Sequence, residues 1–432
     1  MQPFQMTFRV HRELVFLGTT RLLSLAESLG SRVITPRCLK FCCLWEFQSL
    51  PLENHSHPCA PPLISAQVWY FEMIEKLRGV IGRSFKGEEM YLKNEWYVAC
   101  RVEEVTDKPL GRKICNESMV FFRGLESKVS AVEDFCPHRG APLSLGRVCN
   151  GQLVCGYHGL TMGCDGHTVS MPGHNVRGFE PVKSFPVIER YGFVWVWPGD
   201  ASKADPSKMP VFEWFENPAW AYGGGLYHIA CDYRLMIDNL MDLTHETYVH
   251  ATSIGQTEID ETPSRTVTEG NTVVTSRFME GIKAPPFWQM AMRANDLPDD
   301  AMVDRWQICR FSPPSHVMIE VGVALAGKGG YSADPKDKAY SVVVDFITPE
   351  TDTSIHYFWG MVRQFKPHDQ DLTARIREGQ GKIFSEDLEM LERQQKNILA
   401  NPERKLKVLS IDAGGVMSRR VIDRLLELEK AV

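Results

Sequence analysis

Apolar and polar positions change their period along the chain, and the changes predict where the elements lie. Residues 1–89 show no sustained period of 2 or 3.6 and carry a Pro/His-rich patch from Pro51 to Pro62, so no packed domain is expected there. From Met90 to about Asp200 the pattern is short β-like runs set off by turn residues: Met119–Arg123, Lys128–Glu133, Gln152–Cys155 and Phe193–Trp197. That stretch (90–200) reads as a small β domain. After a Pro-containing linker, Asp232 to His250 contains neither Gly nor Pro and reads as one helix. Five strand runs follow, Thr272–Phe278, Val303–Phe311, His316–Ala324, Ser341–Ile347 and Ser354–Val362, joined by Gly/Pro/Asp-rich turns. They predict a meandering antiparallel sheet. Two helices, about Leu372–Leu399 and Gly415–Lys430, close the chain. The fold class expected is α+β, with residues 201–432 as a second domain.

Composition narrows the function. The chain has 432 residues, too many for one small core, with 44% hydrophobic and 24% charged residues, as in ordinary globular proteins. Its net charge is -6 and it has no long Lys/Arg run, which argues against a nucleic-acid partner. No segment offers the roughly 18 apolar residues of a membrane span. Leu14 to Leu29 is broken by Arg21 and Glu27 and makes a poor secretory signal, so a cytoplasmic location is expected. The 12 Cys then point to reduced thiols and a metal centre, not to a disulfide framework.

The first constellation is Cys136-Pro-His138-Arg-Gly140 followed by Cys155-Gly-Tyr-His158-Gly159. Two Cys and two His can hold a tetrahedral zinc, or a [2Fe-2S] cluster with two thiolates on one iron and two imidazoles on the other. The one-residue spacing of Cys136 and His138 suits two adjacent irons better than one ion. The second constellation is Asn239, Asp242, His245 and His250, which share an arc of about 140° on a helix. Four residues between the imidazoles, an i,i+5 spacing, is not the ideal i,i+4 chelating interval, so the helix should be distorted near His250 if both bind one metal. Two His need a carboxylate to complete a facial triad for non-haem iron. On the helix from Leu372, residues Leu372, Ile376, Ile383, Phe384, Leu388, Met390 and Leu391 form an apolar face with Asp387 in its middle and Glu386 at its edge. A carboxylate there is costly unless paired or metal-bound, which selects Asp387.

These motifs, with Asn94-Glu-Trp-Tyr-Val-Ala, Ser184-Phe-Pro-Val-Ile-Glu-Arg-Tyr-Gly, Gly379 to Asp387 and Asp412-Ala-Gly-Gly-Val, resemble the Rieske non-haem iron oxygenases from Met90 onward, and within them those that O-demethylate aromatic acids. The resemblance implies a Rieske β domain followed by a helix-grip, START-like catalytic domain. It also implies Cys136, His138, Cys155 and His158 as cluster ligands, and His245, His250 and Asp387 as ligands of a mononuclear Fe(II). By the same resemblance Asn239 is a nearby or weak ligand. Asp242 is implied to link the two metal sites across a subunit boundary in a head-to-tail homotrimer, and, three residues before His245 on a helix, its carboxylate is expected to accept the N–H that iron leaves free on that imidazole.

The implied reaction uses O2 to convert vanillate to protocatechuate and formaldehyde. Electrons would come from an NADH-dependent flavin and [2Fe-2S] reductase, since no G-x-G-x-x-G unit occurs in this chain. The other readings are an oxygenase of the same family acting on another methoxy- or methyl-substituted aromatic, and an electron-transfer Rieske protein, which would have no use for the second ligand set. Along Val303–Phe311, Trp306, Ile308 and Arg310 share one face. If that face lines the pocket, Arg310 could hold the substrate carboxylate; otherwise it is an Arg paired structurally. The resemblance begins at Met90, and Lys86-Gly-Glu-Glu-Met90 can be encoded by purine-rich codons like a bacterial ribosome-binding site. Residues 1–89 are therefore expected to be translated upstream DNA; the rival is an organelle-targeting extension carrying Arg9, Arg12, Arg21, Arg32 and Arg37.

Overall fold

The computed structural model describes residues 90–431, and the expectation for residues 1–89 lies outside them. Among the described residues, no helix is long and apolar enough to cross a membrane.

The first part consists of three small antiparallel sheets. Leu110–Ile114, Glu117–Arg123, Val129–Glu133 and Ser184–Phe185 pair in that order. Arg147–Cys149, Gln152–Val154, Thr161–Met162 and Thr168–Ser170 make a second sheet, and Tyr97–Arg101, Phe193–Val196 and Val187–Arg190 a third. Strand alternation sends the side chains of Glu117–Arg123 into two different cores. Met119 and Phe121 join the large core shared with the second part, while Val120 and Phe122 pack beneath Cys136 and Cys155.

The second part is a seven-stranded antiparallel sheet. Arg265–Glu269, Thr272–Lys283, Met302–Ser312, His316–Leu325, Lys338–Thr351 and Ser354–Arg363 meander in sequence order, and Ala221–Ile229 pairs with Ser354–Arg363 at the far edge. All five expected strands are present and longer than their sequence signals. Two were not expected, Arg265–Glu269 and Ala221–Ile229. The second is hidden by Gly223, Gly224 and Gly225, which weaken a strand signal. The structure supplies their reason: a Cβ on Gly225 would lie 2.5 Å from the Trp359 ring, and one on Gly381 would lie 3.1 Å from it. Trp359 thus sits between a glycine of the edge strand and a glycine of the long helix Gln370–Ala400, and Tyr227 Oη donates to Gly381 O over 2.9 Å. The sheet grips the helix at this point. The two parts are stitched by backbone: Cys115 N–H donates to Pro349 O over 2.8 Å, and Thr348 Oγ1 donates to Val98 O over 2.7 Å.

Three details depart from the sequence reading. The helix Pro286–Ala294 was not foreseen. Asp232–His250 is not one helix but Tyr233–Met241, a 3-10 turn Leu243–His245 and a turn Glu246–Val249. The break is at Asp242, extended at φ -127 and ψ 97, whose Oδ1 accepts from Thr244 N–H over 2.9 Å. This local side-chain bond competes with continuing the helix. Met390, expected on the buried face, is 58% exposed. The buried stripe passes through Gln380, Phe384, Asp387, Leu391 and Gln395 and winds away from it.

Candidate metal centres

Cys136 and Cys155 lie on two loops built alike. Cys136 N–H donates to Ala141 O (2.9 Å) and its carbonyl accepts from Gly140 N–H (2.8 Å); Cys155 N–H donates to Leu160 O (2.8 Å) and its carbonyl accepts from Gly159 N–H (3.1 Å). Each turn needs a positive φ at the same place, met by Gly140 (69°) and Gly159 (74°). Both thiols are buried and free of disulfides, while His138 is half-buried and His158 exposed. The loops bring the two imidazoles together, with ring centroids 4.6 Å apart. His138 Nδ1 is buried without a hydrogen-bond partner among the described residues. A buried ring nitrogen left open beside two buried thiols fits a metal cluster, with the thiolates inside and the imidazoles at the rim.

The second centre is where the broken helix meets the long one. His245, His250 and Asp387 each offer a ligand atom within 4.8 Å of the others. His250 Nε2 lies 3.2 Å from Asp387 Oδ2, and His245 Nε2 lies 3.6 Å from Asp387 Oδ1. The far nitrogens are held from behind: His250 Nδ1 sits 2.7 Å from Glu386 Oε2, and His245 Nδ1 sits 2.6 Å from the carbonyl oxygen of Asp242. Such partners fix the tautomer that turns Nε2 toward a metal. Burial opposes charge on His250, but Asp387 and Glu386 outweigh it and hold its pKa above the ordinary imidazole value. Asn239 Nδ2 donates to Asp387 Oδ1 over 3.1 Å, and Asn239 Oδ1 is buried with no partner among the described residues. Two imidazoles, a carboxylate 2% exposed and an open amide oxygen are a donor set that a divalent iron fits.

The wall beyond these groups is mostly apolar, with Leu240, Phe287, Trp288, Val321, Met361 and Phe384 lining it. Glu246 and Arg305 also reach it, and both are buried. Sequence reading missed this pair, and it gave Glu386 no part beyond the helix-face edge. The available signal for Arg305 was strand parity, which offers two faces without saying which is inside when both are covered.

Two expectations are corrected. Arg310 is not brought to the cavity: it lies on the opposite face of its strand and its Nε donates to Glu320 Oε1 over 2.7 Å. Trp306 and Ile308 on that face are buried instead against Val274, Ala324 and Ala333. The second concerns Asp242. Its carboxylate does not receive the His245 N–H, because the helix has ended and the backbone carbonyl takes that place.

Residues 95–186 match the Rieske [2Fe-2S] domain, and residues 229–428 match the vanillate O-demethylase oxygenase C-terminal domain. The chain is 69% identical over 341 residues to the vanillate O-demethylase oxygenase subunit of Pseudomonas sp. (strain HR199 / DSM 7063), spanning 79% of this chain and 96% of that one. It is 37% identical to the oxygenase component of dicamba O-demethylase from Stenotrophomonas maltophilia, over 79% of this chain and 99% of the relative. The crystal structure of dicamba monooxygenase bound to 3,6-dichlorosalicylic acid superposes with a TM-score of 0.74 at 32% identity, covering 79% of this chain and 100% of that one. Another crystal structure of that enzyme, with non-haem iron and dicamba, gives 0.67 at 32% identity, covering 79% and 99%. Likeness of this extent across both ligand sets leaves one conclusion: the chain belongs to the vanillate O-demethylase oxygenase family of Rieske-type monooxygenases, which use a [2Fe-2S] cluster and a mononuclear iron.

Proposed function

We propose that this chain is the terminal oxygenase component that O-demethylates vanillate to protocatechuate and formaldehyde. The observation that carries the reading is the triad His245, His250 and Asp387 set in the wall of a mainly apolar cavity, in a chain 69% and 70% identical to two vanillate O-demethylase oxygenase subunits. In this reading Cys136, His138, Cys155 and His158 hold the cluster, and His245, His250 and Asp387 hold the iron with Asn239 beside it. When bound, the cluster supplies electrons singly and the iron supplies activation of O2. In the net reaction the methoxy carbon gains one oxygen atom of O2, and the resulting hemiacetal breaks its methylene C–O bond to leave a phenol and formaldehyde. The second oxygen atom leaves as water, with a pair of electrons and a pair of protons balancing it.

The chain's own residues do the positioning. Glu386 and the Asp242 carbonyl orient the two imidazoles, Asn239 clamps one oxygen of Asp387, and Phe287, Trp288 and Phe384 give an aromatic ring a dry wall. The electrons come from a reductase, which we take to be an NADH-dependent flavin and plant-type [2Fe-2S] protein working beside this chain in the cytoplasm. We further propose a head-to-tail homotrimer in which Asp242 stands between His245 and a neighbour's His158; the exposure of His158 and of Tyr157, whose tilted ring has its centroid 3.9 Å from that of His158, supports this.

The test is turnover of a small panel of methoxybenzoates by the purified chain with reductase and NADH, with iron and acid-labile sulfide measured on the same sample. Vanillate should give equimolar protocatechuate and formaldehyde. Turnover of another methoxyarene but not vanillate would overturn the substrate, and zinc without sulfide would overturn the cluster.

A further inference from the structure

We propose that Arg305 binds the ring carboxylate of the substrate through its Nε–H, an inference that rests on the reading of an aromatic acid as substrate. Strand Met302–Ser312 alternates its side chains, so Arg305 shares a face with Gln307 and Cys309, opposite to that of Arg310. That inner face is the cavity side, and Arg305 lines the cavity at 2% exposure.

The guanidinium is held on two of its three nitrogens. Its Nη2 donates to Glu246 Oε2 over 2.9 Å, and its Nη1 donates to Ile254 O over 3.2 Å and to Gln256 Oε1 over 2.5 Å. Glu246 Oε2 is itself fixed by Gln307 Nε2 at 2.9 Å. The third nitrogen, Nε, is buried and has no partner among the described residues. Buried donors in native proteins are generally satisfied, so an open one on a residue that lines a ligand cavity points to a ligand acceptor. The remaining polar groups of the wall suit a carboxylate poorly. His245, His250, Asp387 and Asn239 form the metal centre, Glu246 repels an anion, and Gln380 and the Trp288 indole N–H carry no charge. Among the described residues lining the cavity, Arg305 is the only arginine or lysine. The partners on Nη1 and Nη2 therefore preorganise the fork and leave one N–H for the substrate.

Binding is measured by calorimetry on the metal-loaded chain without reductant, so that nothing turns over. The probes are vanillate and a methoxyphenol of the same ring lacking the carboxylate. In Arg305→Lys a single nitrogen cannot keep Glu246 and Gln256 and also reach sideways. The vanillate Kd should rise about 10- to 100-fold, as for loss of a charge-assisted hydrogen bond, and the methoxyphenol Kd should hold within about twofold. Equal changes in both, or none, overturn the inference. If Arg305→Lys loses its iron or its fold, Glu246→Gln decides: removing the opposing carboxylate should tighten vanillate and leave the methoxyphenol unmoved, and a weaker or unchanged vanillate Kd overturns it. Wild-type chain that neither binds nor turns over vanillate defeats the substrate reading and this inference together. Wild-type turnover of vanillate with an unchanged binding ratio in Arg305→Lys defeats only the inference.

Discussion

Glu386 Oε2 lies 2.7 Å from His250 Nδ1, so a residue adjacent to one triad member in sequence braces another from behind. One helical turn thereby controls two corners of the iron site. The carboxylate selects the His250 tautomer with Nε2 open and raises its basicity as a ligand.

Replacing Glu386 by Leu keeps the helix and removes this brace. Affinity for the mononuclear iron should fall about 10- to 100-fold while the cluster absorbance stays as it is. Competition with a chelator of known strength measures the first and visible spectroscopy the second. Wild-type iron retention would show that His250 needs no partner at Nδ1.

His138→Cys tests the other centre. A thiolate in place of a neutral imidazole adds negative charge to the cluster, whose imidazole-ligated forms span roughly -150 to +300 mV against about -400 mV for plant-type all-thiolate clusters. The cluster should survive with its potential lowered by on the order of 100 mV or more, read by redox titration. An unchanged potential would remove His138 from the ligand set.

Much of this arrangement was legible in the sequence, and the reasons for the gaps are physical. Cys136, His138, Cys155 and His158 are visible because both loops are local, each closed within five residues by its own backbone bonds. Asp387 could be found from the opposite side of the chain because a carboxylate amid Ile383, Phe384 and Leu391 violates helix periodicity. Arg305 was lost to Arg310 because both faces of Met302–Ser312 are buried, the outer one by Trp306 and Ile308, and alternation alone does not say which is the cavity side. The strand Ala221–Ile229 was lost because its glycines serve a ring, Trp359, that is contributed by a strand more than a hundred residues away. The His245 N–H contact expected of the Asp242 carboxylate is absent because helix geometry was assumed through a residue that ends the helix.

That last point sharpens the test of Asp242. Its backbone carbonyl, which no side-chain substitution removes, holds His245 Nδ1, and its Oδ1 accepts from Thr244 N–H. Asn can make the same acceptor contact. Asp242→Asn should therefore keep the turn, the iron and the cluster, and lose only the negative charge. If that charge couples the metals across a subunit boundary, electron transfer from reduced cluster to iron slows by at least about 100-fold in rapid-mixing absorbance, with metal content unchanged. Loss of iron would instead make Asp242 a structural support, and full-rate transfer would remove it from the path.

The acid limit of stability should depend on His316. Its ring is 2% exposed and packs edge-on against Trp195 at 5.6 Å and Phe346 at 5.4 Å. Burial pushes its pKa down to about 4, against 6.5 for the unfolded chain. The unfolded state binds the proton more readily, so the neutral ring's contribution is fully present above about pH 6.5 and is lost as the pH falls toward 4. By pH 5 the loss is about 2 kcal/mol, or about 3 °C in Tm for a chain of this size. His316→Phe keeps an aromatic ring in the slot and removes the titration, so its Tm should fall by about 3 °C less than wild type between pH 7 and pH 5. His356, also pushed down to about 4 by burial, retains part of the acid sensitivity in the variant. Scanning calorimetry at the two pH values decides it: parallel falls in Tm for wild type and His316→Phe would mean that His316 is not protonated on unfolding in this range.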